Sequence, residues 1–396
     1  MVTLGNIEGI NYGSYTASVP ERRDEPSSGE RKTGRSAAPA QRDYRLAGPE
    51  GASAAARGLV CADWYASPIS RKRMKELMQR RDGPAIRDTV IWLVLLGGSG
   101  WLGHHVWRTW WAIPVFAVYG VLYGSVADSR WHECAHGTAF KTPWMNTVVY
   151  NVASFMMLRE AVSWKWSHFR HHSDTIIVGR DAEIAFPRPT SLLRIASEVF
   201  ALQSVRADVR KIAVNCAGCL TDEECDYLPE SERAKAIRTA RVYALILVGV
   251  TAWSVTIRSV EPLMFVGLPT LYGRWLALAY GITQHAGLAE DVLDHRLNSR
   301  SVDLNRLHRY LYWNMNFHIE HHMFPTVPYH ALPALHDEIK ADLPPICPGL
   351  LAAYREIFPA LFRQRKDLGY CIVPVLPEQQ QSGAASALST LERASQ

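Results

Sequence analysis

The sequence predicts an all-α integral membrane protein with four transmembrane helices, and three observations predict it. Apolar residues gather into four runs of near-spanning length, the runs pair through short turns, and basic residues crowd the chain just before the first run. The mean hydropathy of −0.09 conceals this, because it averages polar ends with an apolar, Trp-rich middle.

The first run covers about 88–107 and the second about 110–127. Each approaches the ~20 residues that cross ~30 Å of hydrocarbon. Only Arg108 and Thr109 connect them, which implies an antiparallel hairpin. The third run is about 240–257, and the fourth is about 262–283, interrupted by Gly, Pro and Arg274. The segment 144–158 is short for a span and is expected in the interface or buried. Core helices of a soluble protein are the alternative, but four spanning-length runs joined in pairs speak against it.

Arg71, Lys72, Arg73, Lys75, Arg80, Arg81 and Arg87 precede the first run, whereas the hairpin tips carry only Arg108 and Arg258. The positive-inside rule then sets both termini and the long central segment in the cytoplasm. The formal net charge of +5 is modest and does not call for nucleic acid. Residues 1–57 are rich in Ser, Pro, Gly, Ala and Arg and read as a disordered tail, as do 378–396, leaving 58–377 as the membrane domain. Seven cysteines, an odd number, and no apolar segment in the first forty residues fit reduced thiols. Cys216 and Cys219, with Cys225, form a lone CxxC among acidic residues, a weak metal or redox signal.

Chemistry gathers at three histidine clusters: His132 with His136, His168 with His171 and His172, and His318 with His321 and His322. Positions i, i+3 and i+4 share a helix face, so each cluster can aim its imidazoles at one place. The expected topology puts all eight on one side of the membrane. Imidazole suits Fe, Zn, Cu and Ni, and eight exceed what one ion can use. The segment His132-Glu133-Cys134-Ala135-His136 also matches the HExxH of zinc proteases, with Glu133 as general base, but that reading leaves six histidines without a purpose. A haem-b carrier would need paired histidines inside the spans, where these do not lie.

The three clusters resemble the histidine boxes of the membrane fatty acid desaturase superfamily, which includes hydroxylases and carotenoid ketolases, over roughly 88–345. The resemblance implies four transmembrane helices under a cytoplasmic helical cap that holds two irons. It implies His132, His136, His168, His171, His172, His318, His321 and His322 as catalytic metal ligands, with His285, after the fourth run, as a ninth. Where acyl-CoA desaturases carry Asn one turn before that histidine, this chain has Gly281. His104 and His105 fall near the opposite membrane face; His295, His308, His330 and His336 read as surface or supporting residues. Asp128, Asn316 and Glu320 are candidates to orient imidazoles, or else to pair with nearby arginines. Arg170, Arg180, Asp181 and Glu183 read as a solvated loop or a polar-group site.

The activity implied is an O2-dependent oxidation of an unactivated C–H bond in a fatty acyl or lipid substrate, desaturation ahead of hydroxylation or ketolation. Some bacterial members with similar boxes act on small polar molecules such as dihydrorhizobitoxine, and Arg274 and the 170–183 stretch keep that substrate class open. No dinucleotide fingerprint or fused haem module is present in the sequence. A separate ferredoxin, Rieske protein or cytochrome with its reductase is therefore implied, and a bacterial inner membrane is the expected location.

Overall fold

A computed structural model describes residues 42–377, whose regular elements are helices, with one isolated parallel bridge between Val302 and Cys347. Three helical stretches are long and apolar enough to cross a membrane: Arg71–His105, Ala112–Ala135 and Glu230–Thr256. In the first, the continuous apolar helix is Asp82–His105. Their outward faces remain apolar. Trp110 is 87% exposed and Trp111 72%, at the hairpin tip where interfacial tryptophans belong in a bilayer. Such a surface fits contact with lipid better than contact with water.

The second span does more than cross. It passes through a π-helical turn at Val121–Ser125 and continues without a break to Ala135, so His132 rides on the membrane helix itself. The turn is stitched to the chain beside it: Ser125 Oγ donates to Gly273 O and accepts from Ala277 N at 2.9 Å. The helix Pro143–Met156 then packs beside the box-bearing end of that span, consistent with an interfacial or buried placement.

The fourth expected span is not one helix. Residues 262–283 divide among Glu261–Phe265, Pro269–Gly273 and Trp275–His285. Val266 turns extended, Gly267 takes φ +93°, and Pro269 starts a new helix because it cannot continue the old one. Gly273 is required by close approach: a Cβ there would stand 1.8 Å from Gly120 O. Trp275–His285 has 11 residues and spans about 16 Å, so it cannot cross alone.

The expected N-terminal tail reached residue 57, but only 1–41 and 378–396 lie outside the described residues. Residues 42–57 are ordered, with a helix at Glu50–Ala56. The reason is ionic: Arg42 pairs with Glu290 at 3.3 Å and with Asp291, and Tyr44 donates to Glu290 at 2.8 Å. Composition cannot reveal carboxylate partners some 250 positions away.

Candidate metal centre

Four short helical pieces bring the histidines together. His132 and His136 come from the end of the second span, and His168, His171 and His172 from Ala161–Ser173. His285 ends Trp275–His285, and His318, His321 and His322 fill one face of His318–Met323. Glu160 caps the box-two helix, accepting from Val162 N and Ser163 N, which fixes the start of the turns that carry three imidazoles.

All nine histidines converge, in two neighbouring groups. His132, His136, His168, His172 and His321 offer nitrogens that lie within 4.8 Å of one another. His171, His285 and His322 form the second group. His318 joins it, because its Nε2 stands 3.0 Å from both His285 Nε2 and His322 Nε2. The groups touch where His172 stacks on His322 with ring centroids 4.4 Å apart.

The spacing fits metal coordination. Metal–imidazole bonds are about 2.0–2.1 Å, so adjacent ligand nitrogens on one ion stand roughly 3 Å apart. In the first group the Nε2 pairs His132–His321, His136–His168 and His172–His321 are 2.8, 3.0 and 3.3 Å apart. Burial and neighbouring imidazoles hold His172, His318, His321 and His322 well below the ordinary histidine range. These rings are therefore neutral at pH 7, with lone pairs free for a cation. Each of the two groups could hold a metal ion.

Outward nitrogens are held from behind. His171 Nδ1 donates to Asp181 at 2.8 Å; burial opposes charge on this ring, but the buried carboxylate outweighs it and raises His171 to about 8. His168 Nδ1 faces Glu183 at 3.3 Å, His285 Nδ1 donates to Asn298 O at 2.8 Å, and His322 Nδ1 lies 3.2 Å from Thr175 Oγ1. Such bonds fix which nitrogen points inward.

Asp181 and Glu183 thus belong to the centre rather than to a solvated loop. Their sequence signal is only two acids within a dozen residues of a histidine box. The other supporting candidates act elsewhere. Asp128 pairs with Arg159 at 2.6 Å, Asn316 donates to Val302 O at 2.8 Å, and Glu320 binds His336 and Ser301. His104 bonds Glu261, away from the clusters, whereas His295 is buried between Trp64, on which it stacks, and His322, with ring centroids 5.2 Å apart. Glu133, the general base of the protease alternative, accepts from Thr138 Oγ1 at 2.6 Å and Tyr329 N at 3.0 Å, buried and facing neither group. Among the described residues Cys216, Cys219 and Cys225 join no metal-holding group, and the acids between them form a capping box at Thr221 and Glu224.

A cleft of about 1250 Å³ opens beside the centre, lined near it by His285, Gln284, Glu183 and Gly281, and farther along by Asp128, Arg159, Trp164, Asp208, Lys211 and Arg274.

The fold and the site define a helical protein with membrane-length apolar helices and two converging histidine groups that could hold metal. The family model for fatty acid desaturases matches residues 108–354, and the chain belongs to that family. It is 27% identical over 252 residues to a soybean (Glycine max) omega-6 fatty acid desaturase of the endoplasmic reticulum, a match covering 56% of this chain and 65% of that protein. It is 26% identical over 276 residues to a Delta(12)-acyl-lipid-desaturase of Punica granatum, covering 60% and 71%. An acyl-lipid (9+3)-(E)-desaturase of Dimorphotheca sinuata is 27% identical over 301 residues, covering 67% and 78%. The chain thus spans just under two thirds of the soybean protein's length.

Proposed function

We propose that this protein is an O2-dependent di-iron desaturase that introduces a double bond into an unactivated C–C bond of a fatty acyl or lipid substrate. The observation that carries the proposal is the pair of polyhistidine groups, adjacent and buried, in a chain of the fatty acid desaturase family. His132, His136, His168, His172 and His321 would hold one iron, and His171, His285, His318 and His322 the other. Two irons bound there would supply the activation of O2 needed to break a methylene C–H bond. O2, two electrons and two protons, with two hydrogens from adjacent carbons, balance to one double bond and two waters.

The residues' part is ligation, orientation and exclusion of water. Asp181, Asn298 and Thr175 lock three rings of the four-histidine group, those of His171, His285 and His322. Gln284 is tied to Tyr312 Oη at 2.6 Å and, with Gly281, shapes the cleft wall beside His285. Electrons come from a separate ferredoxin, Rieske protein or cytochrome.

The broken segment Glu261–His285 serves as the fourth crossing. Its start is tied to the far end of the first span, where Glu261 meets His104 at 2.7 Å, and its end carries His285 at the metal centre. The basic residues before the first span support a cytoplasmic centre and cytoplasmic termini. The bacterial inner membrane rests on the sequence resemblance alone.

Charged residues in the cleft favour a second reading of the substrate as a small polar molecule. Reconstitution with a reductase, an electron donor and 18O2 tests the chemistry. A product lighter by two hydrogens, with no 18O, is expected; a product carrying 18O makes the enzyme a hydroxylase or ketolase, and no O2 consumption with any acyl or small polar substrate overturns the proposal.

A further inference from the structure

A buried arginine inside a membrane domain carries a large solvation cost and marks a functional path unless it is fully paired. Arg274 sits where the fourth crossing breaks, between Pro269–Gly273 and Trp275–His285, and lines the cleft that reaches His285. Its Nη1 is buried without a hydrogen-bond partner. Asp208 Oδ2 stands 3.7 Å away, beyond hydrogen-bond reach. That carboxylate is shared, since Asp208 Oδ1 also accepts from Trp164 Nε1 at 3.2 Å.

The surrounding charges are otherwise occupied. Arg159 pairs with Asp128 and lies over the rings of Trp131 and Trp164, at 4.2 and 4.7 Å. Lys211 donates to Tyr227 at 3.2 Å, and Glu198 is bound by Ser204 through backbone and hydroxyl. Arg159 Nε is unpartnered as well, but Asp128 holds that guanidinium through Nη1, whereas Arg274 has only the 3.7 Å approach of Asp208. Arg274 stands one helix length, about 16 Å, from His285, and the cleft between them also passes Asp128, one helical turn before His132.

We infer that Arg274 is a specificity-determining residue that anchors an anionic group of the substrate, a carboxylate or phosphate, in the cleft beside the metal centre. The inference rests on the desaturase reading of that cleft and deepens it. A guanidinium offers a planar pair of donors to such a group, and for a side chain only 11% exposed this contact outweighs the weak pair with Asp208. The anion has two sources: the head end of a lipid or a small free acid.

The test is equilibrium binding to the purified, iron-loaded full chain, using two matched pairs of probes: oleate against oleyl alcohol, and hexanoate against 1-hexanol. The wild type is expected to favour the carboxylate about tenfold in at least one pair. A preference in the long pair alone assigns a lipid source, and one in the short pair as well a small acid. Arg274→Gln is expected to abolish the preference while leaving alcohol binding and iron content in place, and Arg274→Lys to restore part of it. A wild type with no preference in either pair overturns the inference without help from any variant. So does a folded Arg274→Gln protein that keeps the preference. An iron-loaded protein that shows the preference yet oxidises nothing when supplied with reductant and O2 sinks the desaturase reading instead, so the two failures are distinguishable.

Discussion

The two histidine groups differ in how their rings are held. In the four-histidine group His171 leans on the buried carboxylate of Asp181, His285 on a backbone carbonyl, and His322 on a threonine hydroxyl, and only His318 Nδ1 is without a partner. In the five-histidine group Glu183 approaches His168 at 3.3 Å, while the buried Nδ1 atoms of His172 and His321 have no partner. One group is oriented from outside, the other largely by its members' mutual packing. Carboxylate support raises ligand basicity, so the two positions present different fields to the ions they would hold.

The largest expected effect comes from removing a ring at the heart of either group. His321→Ala or His171→Ala should abolish turnover and lower bound iron, read by metal analysis and product formation; survival of activity in either would show the ligand set to be wrong. His285→Ala should cut activity less uniformly, and full activity with full iron would remove it from the centre.

The supports come next. Asp181→Asn should cost about 10–100-fold in metal affinity or activity, the usual range for a lost carboxylate behind a ligating histidine. Glu183→Gln should cost less, given the longer contact. Equal losses from the two, measured by iron retention against a chelator, would erase the contrast between the groups. Smallest of all, Cys219→Ser should leave iron content unchanged, since that thiol is exposed and remote from both groups.

The three boxes were legible because i, i+3 and i+4 spacing needs only a helix to become a face, and each box does sit on one. His285 was legible by position, since a returning fourth run had to end near the boxes. Two things were not. The close contact of Gly273 with Gly120 at the break in that run is a long-range packing fact that an apolar average hides. The role of Asp181 depends on the loop after box two folding back, with Ile176 at φ +56° and its N–H donating to Asp181 at 2.8 Å. Until the chain turns there, Asp181 is one more acid in a polar stretch.

The most direct measurement is the metal content of the full chain purified in mild detergent, after iron restoration. About two irons per polypeptide with little zinc is the expected result. One zinc and no iron would contradict the account and return the HExxH segment at His132 to consideration.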